Sequence, residues 1–275
     1  MDERTAMDGA ATAVGITGRT RVYGILADPI YHVKAPEVMG ALFARHGVDS
    51  VLVPLHVPAD GLAAVMDGLR QVRNFGGFIA TVPHKTAMSG LCDALTREAE
   101  QIGAVNCVRR EADGRMVGTM LDGIGFVDAL RASGVEPRGR NAALAGAGGA
   151  ASAIAFALAE AGVARLTILN RTLDRAQALI ARLRAAYPAL AVTAEGSQVD
   201  HDLLVNGTSL GMRPGDAAPF DLTALHGGQF VAEAIMDPET TPLLVAASAA
   251  GCRIQKGLPM LERQIALMAQ HMGAL

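Results

Sequence analysis

The amino-acid sequence predicts an α/β protein with two domains. Its 275 residues exceed the length at which a single core usually stops growing, and 51% of them are apolar. Short apolar runs alternate with helical patterns along the chain, which is typical of sheets covered by helices. A glycine-rich turn near the middle separates an apolar run from an alanine-rich run. We therefore expect an N-terminal α/β domain, a C-terminal Rossmann dinucleotide-binding domain and a cleft between them.

The first half of the chain predicts alternating strands and helices. Residues 1–20 contain no apolar run and are expected to form a flexible tail rather than a signal peptide. The turn at 112–114 separates two short apolar runs and predicts a hairpin. The first domain is therefore expected to cover residues 21–125. Its predicted strands are 22–26, 50–55, 77–81, 104–108 and 115–118, and its predicted helices are 36–46, 59–69 and 85–94.

The second half predicts a parallel sheet. A helix at 126–134 is expected to lead into strands and helices that alternate from Asn141 onward. This Rossmann domain is expected to span residues 126–250. Residues 258–272 have apolar side chains at helical spacing, so the last segment, 251–275, is expected to form a helix that packs back on the first domain.

The glycine-rich turn follows the dinucleotide-binding pattern G-x-G-x-x-G/A between a strand and a helix. Gly146 would permit the tight turn, Gly148 would let the backbone approach a pyrophosphate, and Ala151 is small enough for close helix packing. The pyrophosphate would lie at the helix N-terminus, where N–H groups and the helix dipole attract an anion. A plain glycine-rich turn before an alanine-rich helix is the alternative.

The second strand of this domain should end in the residue that recognises the adenosine ribose, and an NAD site would place Asp or Glu there. Here the strand is followed by Arg171 and Thr172, with Arg175 close behind. A guanidinium suits a 2′-phosphate, so we predict NADP in preference to NAD. Asp174 could still reach a ribose hydroxyl, and a solvated, charged helix start is the other alternative.

Composition excludes several classes of function. A net charge of −3 without a basic run argues against nucleic-acid binding and favours a small-molecule substrate. Three widely spaced cysteines argue against a disulfide framework or a metal site and indicate the cytoplasm. The longest uncharged run, 141–159, is broken by the glycine turn, so no membrane span is expected. The oligomeric state, monomer or homodimer, stays open.

Three motifs of the first half place chemically useful side chains near predicted strand ends. Lys85 closes the run Thr81-Val-Pro-His-Lys, just past a strand and a proline turn, where α/β folds place functional groups. Asn106 and Asp122 lie in Gly-Ala-Val-Asn and Leu-Asp-Gly, near the ends of the hairpin strands. Taken singly, each could be a surface lysine or ordinary turn chemistry.

Together, these motifs resemble the shikimate/quinate dehydrogenase family, in which G-x-N-V-T-x-P-x-K, G-A-V-N-T and G-x-N-T-D-G precede a Rossmann domain. The likeness extends from about residue 22 to the C-terminus. In the second half it includes further motifs at 170–172, 206–212 and 260–264. The resemblance implies an NADP-dependent oxidoreductase of aromatic amino acid biosynthesis. Such an enzyme transfers hydride reversibly between a cyclic alcohol or ketone and the nicotinamide.

The resemblance also implies roles for individual residues. Lys85 and Asp122 match the catalytic pair, and which of them acts as the base stays open because coupled groups titrate as a unit. Asn106 and Gln264 match amides that bind substrate hydroxyls, and Thr81 matches a further substrate contact. The implied cofactor contacts are Gly146, Gly148, Gly149, Ala150, Asn170, Arg171, Thr172, Arg175, Thr208, Met212 and Gly257.

Several substrate contacts of the family are missing. Val33 and Ala35 occupy the positions of the family's Ser-x-Ser, which binds the substrate carboxylate, so both hydroxyls are lost. Losing these contacts should weaken a carboxylate ligand by orders of magnitude, so we expect poor activity on shikimate. Further polar residues of the family are replaced by Ile79, Met120, Leu121 and Met236.

A replacement anchor for the carboxylate is conceivable at His32 or Lys34. Lys34 would point outward from Val33 and Ala35 if this segment were extended. Two alternatives to the enzyme hypothesis stay open at this stage. One is a nucleotide-binding regulator with impaired catalysis, and the other is a dehydrogenase of a different ring substrate, such as a folate-like compound.

Overall fold

A computed structural model describes residues 15–275, so residues 1–14 of the predicted tail lie outside the described residues. Thr20, the last residue of that tail, is buried, and its hydroxyl donates to Oδ1 of Asp49 at 2.7 Å. The backbone N–H of Arg21 also donates to the carbonyl of Asp49. Thr20 is therefore part of the folded domain, in contrast to the prediction of a flexible tail through this residue.

The first domain is built on a mixed six-stranded sheet. Its strands are β1 (Arg21–Ala27), β2 (Ser50–His56), β3 (Phe75–Ala80), β4 (Ala94–Leu95), β5 (Cys107–Arg110) and β6 (Met116–Thr119), in the order β2-β1-β3-β5-β6-β4. β5 runs antiparallel to β3 and β6, which confirms the predicted hairpin. The helices are α1 (Ala35–His46), α2 (Leu62–Gln71), α3 (Lys85–Met88), α4 (Arg97–Ile102) and α5 (Asp122–Ala132).

The region between β3 and β5 differs from the prediction. The helix expected at 85–94 is only the four-residue α3, and it ends before Ser89-Gly90, two poor helix formers. The unpredicted helix α4 is begun by Thr96, whose hydroxyl accepts from the N–H of Ala99, and it ends at Gly103, which has a left-handed φ of +65°.

The second domain contains a fully parallel sheet, which confirms the predicted α/β class. Its order is β12-β11-β10-β7-β8-β9, and β7 and β10 meet at the point where the strand order reverses. The strands are β7 (Asn141–Ala145), β8 (Arg165–Leu169), β9 (Ala191–Thr193), β10 (Leu203–Asn206), β11 (Phe230–Glu233) and β12 (Arg253–Gln255), and the helices are α6 (Gly149–Glu160), α7 (Leu173–Ala186), α8 (Pro242–Ala249) and α9 (Leu258–His271).

The two sheets are joined through helices and a shared core. α9 follows the second sheet but packs against α1 and α5. α5 lies between α9 and α6, the helix that follows the glycine-rich turn. One apolar cluster runs from Phe78 and Met120 in the first domain to Leu144 and Ile154 in the second. β12 pairs with β11 and so extends the second sheet past the predicted boundary at residue 250.

Three 3₁₀ turns complete the described secondary structure, at Ala59–Gly61, Gln198–Asp200 and Leu222–Ala224. Between residues 15 and 275, no helix is long and apolar enough to cross a membrane. Within the same range, no group of three or more His, Cys, Asp or Glu side chains is arranged to hold a metal ion.

Candidate active site

Lys85 is fixed by the turn that leaves β3. The buried imidazole of His84 lies 2.8 Å from the carbonyl oxygen of Val57, and the N–H of His84 donates to the carbonyl of Thr81. The carbonyl of Lys85 accepts from the N–H of Val105 at 2.8 Å. These hydrogen bonds hold the Lys85 backbone, and its side chain is 14% exposed.

Asp122 is the first residue of α5 and lies three residues beyond the end of the hairpin strand β6, near the strand end where the sequence placed it. Its side chain is only 4% exposed, and Oδ2 lies 2.5 Å from the ammonium nitrogen of Lys85. Oδ1 accepts from the amides of Asn106 at 2.8 Å and Gln264 at 3.3 Å. The positive end of the α5 dipole adds to this stabilisation of the carboxylate.

Asn106 and Gln264 complete the same group. The Asn106 amide also donates to Oε1 of Gln264 at 3.1 Å, and its Oδ1 accepts from the N–H of Leu121 at 2.9 Å. Both side chains are almost fully buried. We call Lys85, Asp122, Asn106 and Gln264 the catalytic network, because one cation, one anion and two amides lie where a hydroxyl could be bound and a proton moved.

Five of the six positions at which polar residues of the family are lost lie in or against one apolar cluster. Ala35 and Ile79 are buried in this cluster, and the other three are partly buried against it. Met120, in contrast, is buried in the core shared by the two domains. We call the following five residues the apolar wall: Val33, Ala35, Ile79, Leu121 and Met236.

The segment that carries the lost serines is not extended. The N–H of Val33 donates to the carbonyl of Ile30, and Lys34 has helical angles, φ −103° and ψ −11°, as the cap of α1. The condition for the outward orientation of Lys34, an extended segment, is therefore not met, because a helix begins here. Lys34 is half-buried, and Thr81 is half-buried at the exit of β3.

His32 precedes the apolar wall in this turn. Its Nδ1 is buried and has no hydrogen-bond partner among residues 15–275. Burial lowers the pKa of His32, and the charge of Asp237 opposes this shift in part. The imidazole is therefore neutral near pH 7, with one nitrogen able to bind a polar group.

The glycine-rich turn has the geometry of an anion site. Gly146 follows β7 with φ +112°, a conformation that favours glycine. Gly148 is the exposed cap of α6, with Gly149 and Ala150 in the first turn of that helix. No side chain from residues 15–275 caps α6, so the first N–H groups of the helix can bind a phosphate.

The residues predicted to recognise the 2′-phosphate lie at the end of β8. Arg171, Thr172 and Arg175 are all exposed, and the Asn170 amide donates to the carbonyl of Thr172 at 2.8 Å. Neither arginine forms an ion pair with another residue of the range 15–275. Asp174 is also exposed, in the first turn of α7. The cationic side chains are therefore available to a ligand.

The remaining predicted cofactor contacts lie beyond β10 and β12. The N–H and hydroxyl of Thr208 both donate to Oδ1 of Asn206, which fixes the loop leading to Met212. Gly257 packs so closely against the backbone of Ile235 that an added Cβ would clash with its carbonyl oxygen. These residues border the same end of the parallel sheet as the glycine-rich turn.

Glu233 was not predicted from the sequence. It ends β11, is fully buried, and accepts from the hydroxyl of Thr241 at 2.9 Å and the N–H of Ala234 at 3.1 Å. Burial raises the pKa of this carboxyl to about 7, although its neutral hydrogen-bond donors act in the opposite direction. The available signal was a single acidic residue at the end of the apolar run Phe230-Val-Ala-Glu233.

Comparison with known proteins identifies the family. A model of the shikimate dehydrogenase substrate binding domain matches residues 25–108, and a model of shikimate / quinate 5-dehydrogenase matches residues 130–208. The shikimate dehydrogenase (NADP+) of Rubrobacter xylanophilus is 41% identical over 267 residues, which cover 94% of this chain and 90% of that protein.

Two crystal structures share the whole architecture. Shikimate 5-dehydrogenase from Thermus thermophilus, in complex with NADP(H) and shikimate, has a TM-score of 0.81 at 31% identity, covering 93% of this chain and 94% of that one. The ligand-free 5-ketofructose reductase of Gluconobacter sp. strain CHM43 has a TM-score of 0.79 at 32% identity, covering 92% and 93%. The chain therefore belongs to the shikimate dehydrogenase family of NADP-dependent oxidoreductases, as its motifs predicted.

Proposed function

We propose that this protein transfers hydride reversibly between NADP and an uncharged, hydroxylated cyclic alcohol or ketone, and that it is inefficient on shikimate. The apolar wall is the observation that carries this proposal. Val33 and Ala35 lie where the resembled family binds a carboxylate, and both belong to one apolar cluster. A neutral substrate avoids placing a charge against that surface.

The catalytic network supplies the proton chemistry. NADP, when bound, accepts or returns the hydride. The ammonium of Lys85 and the carboxylate of Asp122, 2.5 Å apart, hold the proton that leaves or returns to the reacting oxygen. Asn106 and Gln264 orient that carboxylate and offer amides to substrate hydroxyls. None of these steps requires a carboxylate on the substrate.

The expected discrimination against shikimate is large. A hydrogen bond to a charged group contributes about 1.5–3 kcal/mol, so the loss of two such contacts corresponds to roughly 10²–10⁴-fold in affinity. Burying the carboxylate against Val33 and Ala35 without donors adds several kcal/mol of desolvation. The amides of Asn106 and Gln264 can offset only part of this penalty.

Two further observations favour a neutral ligand. The unpartnered Nδ1 of His32 belongs to an imidazole whose pKa is lowered by burial, and a neutral imidazole suits a hydroxyl better than a carboxylate. In addition, one structural neighbour is named for 5-ketofructose, a hydroxylated ketone without a carboxylate. We infer that ketones of this kind belong to the substrate class.

Shikimate itself is the second candidate substrate. The 41% identical shikimate dehydrogenase and the intact catalytic network favour it. Lys34 supports it as well, because this half-buried residue caps the N-terminus of α1 and its positive charge could replace the two hydroxyls. The network also favours an enzyme over a nucleotide-binding regulator. A folate-like ring has no specific support in the cleft.

Steady-state kinetics with the purified protein test the proposal. Oxidation of shikimate, quinate, aminoshikimate and carboxylate-free cyclic alcohols with NADP is compared with reduction of 5-ketofructose by NADPH. We expect kcat/KM for the best neutral substrate to exceed that for shikimate by at least ~10²-fold. A kcat/KM for shikimate of about 10⁴ M⁻¹s⁻¹ or more would overturn the proposal. Loss of that activity in Lys34→Ala would then identify the replacement anchor.

A further inference from the structure

The glycine-rich turn of the cofactor domain contacts the catalytic lysine directly. A Cβ atom built on Gly149 would lie 2.9 Å from the Cβ of Lys85 and 3.5 Å from the Cβ of Ala104. The adjacent Gly148 has no such neighbour within 4 Å. The dinucleotide-binding pattern requires small residues at 146, 148 and 151 but leaves position 149 open. The absence of a side chain at Gly149 therefore has a cause outside that pattern.

A second contact holds the same catalytic segment from the cofactor domain. The guanidinium of Arg182, on α7, donates to the carbonyl of Ile102 at the end of α4 and to the hydroxyl of Ser152 on α6. A Cβ on Gly103 would lie 3.0 Å from the same guanidinium. Residues 102–103 lead into the short segment before β5 that carries Asn106. The cofactor domain therefore packs against two parts of the first domain that carry catalytic-network residues: Lys85 itself and the segment leading to Asn106.

We propose that Gly149 is a positioning residue for hydride transfer, because its missing side chain lets the first turn of α6 pack on the stem of Lys85. Lysine side chains are long and flexible, and contact at the Cβ restricts where the ammonium can lie. The methyl group of an alanine at 149 would meet the Cβ of Lys85 rather than its flexible end. The backbone of α3 or α6 would have to move, and the ammonium would shift away from Asp122.

The proposed role is distinct from phosphate binding, which the family resemblance implies for the same glycine. A positioning role predicts that Gly149→Ala lowers kcat while the affinity for NADP is kept. A misplacement of about 1 Å can cost roughly 10²-fold in rate, and we expect a decrease of that size. Gly148→Ala is the matched control, because it adds the same methyl group one residue earlier, away from Lys85.

The experiment uses two measurements on the purified full-length protein. Calorimetric titration gives the Kd of NADP, and acetylation by acetic anhydride, followed by peptide mass spectrometry, gives the reactivity of Lys85. For Gly149→Ala we expect Kd within about threefold of wild type and clearly faster Lys85 acetylation, because the ammonium has lost its place beside Asp122. Gly148→Ala should weaken NADP binding and leave Lys85 acetylation unchanged.

Two additional variants extend the test. Ala104→Gly combined with Gly149→Ala opens space beside the new methyl group, where the Cβ of Ala104 makes ordinary van der Waals contact. α6 can then shift away from Lys85, and part of kcat should be restored. Arg182→Ala adds no volume and removes the other contact with the catalytic segment, so it should accelerate Lys85 acetylation even if Gly149→Ala does not fold.

Wild-type acetylation of Lys85 in a folded Gly149→Ala would overturn the proposal, and if that variant does not fold, wild-type acetylation in Arg182→Ala would overturn it. A loss of NADP affinity in Gly149→Ala equal to that in Gly148→Ala, without a change at Lys85, would assign Gly149 to cofactor binding instead. The acetylation assay requires no substrate. A wrong substrate assignment is therefore detected by the kinetic screen alone and does not affect this result.

Discussion

The catalytic network and the apolar wall differ in how the fold constrains them. The four network residues come from α3, α5, α9 and the segment before β5, and they hydrogen-bond mainly to one another. The wall includes Leu121, immediately before Asp122, and offers only apolar side chains. The residues proposed for the reaction chemistry and those proposed for substrate recognition therefore occupy adjoining but separable surfaces.

The energetic difference between these regions explains how one can change without the other. Removing a network partner leaves a buried polar group unsatisfied, which costs about 1–3 kcal/mol, and more for a charged group. Replacing a small hydroxyl-bearing side chain by an apolar one in the apolar wall leaves no buried polar group without a hydrogen-bond partner. Under the proposed function, substitutions in the apolar wall can therefore change which substrate the protein prefers, while the catalytic network keeps its proton chemistry.

The strongest test of this separation is Lys85→Ala. Because the ammonium handles the proton, we expect kcat to fall by about 10²–10⁴-fold on any active substrate, while NADP affinity changes little. Steady-state kinetics give kcat, and calorimetric titration gives the Kd of NADP. Thr86→Ala, at the exposed next residue, is the control. Turnover near wild type in Lys85→Ala would mean that the network is not the catalytic machinery.

The cofactor site allows a second test of this separation. Like the catalytic network, it should keep its function when the apolar wall changes. Arg171→Ala removes a charge-assisted contact and should weaken NADP by roughly 10–10²-fold, with little effect on NAD. Arg45→Ala, an exposed arginine of α1, provides the control for net charge. Equal affinities of the wild type for NADP and NAD would instead indicate that Asp174 determines the preference.

The wall itself can be changed by Val33→Ser combined with Ala35→Ser. The two hydroxyls restore donors for a carboxylate, so kcat/KM for shikimate should rise at least ~10-fold, and that for neutral substrates should fall. Val38→Ser, in the same apolar cluster on α1, controls for the loss of apolar surface. Unchanged activity on shikimate would place the carboxylate elsewhere, with Lys34 as the next residue to test.

Whether a feature of this protein could be predicted from its sequence depends on whether local patterns or contacts between distant residues determine it. The parallel sheet was predictable, because buried strands are continuous apolar runs and Gly146 marks the turn after β7. The short length of α3 and the existence of α4 were not predicted, because α3 ends before Ser89-Gly90 and α4 begins at the single capping residue Thr96. The conformation around Lys34 was not predicted either, since α1 begins one residue after it and the segment is not extended.

The site shows the same limit. Motifs predicted the identities of the network residues, but Asn106 and Gln264 lie 158 positions apart, and no local pattern predicts their hydrogen bond. The contact between Gly149 and Lys85 depends on how two domains pack. Glu233 escaped prediction because its properties arise from burial and from Thr241, which lies on a later element.

Glu233 is a second buried carboxyl group, and its surroundings differ from those of Asp122. Asp122 has a cation beside it, whereas Glu233 has only neutral donors, and burial raises the Glu233 pKa to about 7 from 4.5. Between these values the folded protein keeps a proton that the unfolded chain releases. The free energy of unfolding therefore falls as pH rises through this window, by up to ~1.4 kcal/mol per unit, and the contribution is largest below the lower value. Glu233→Gln should flatten this slope in urea unfolding, with exposed Glu262→Gln as control, and an unchanged slope would contradict the assignment.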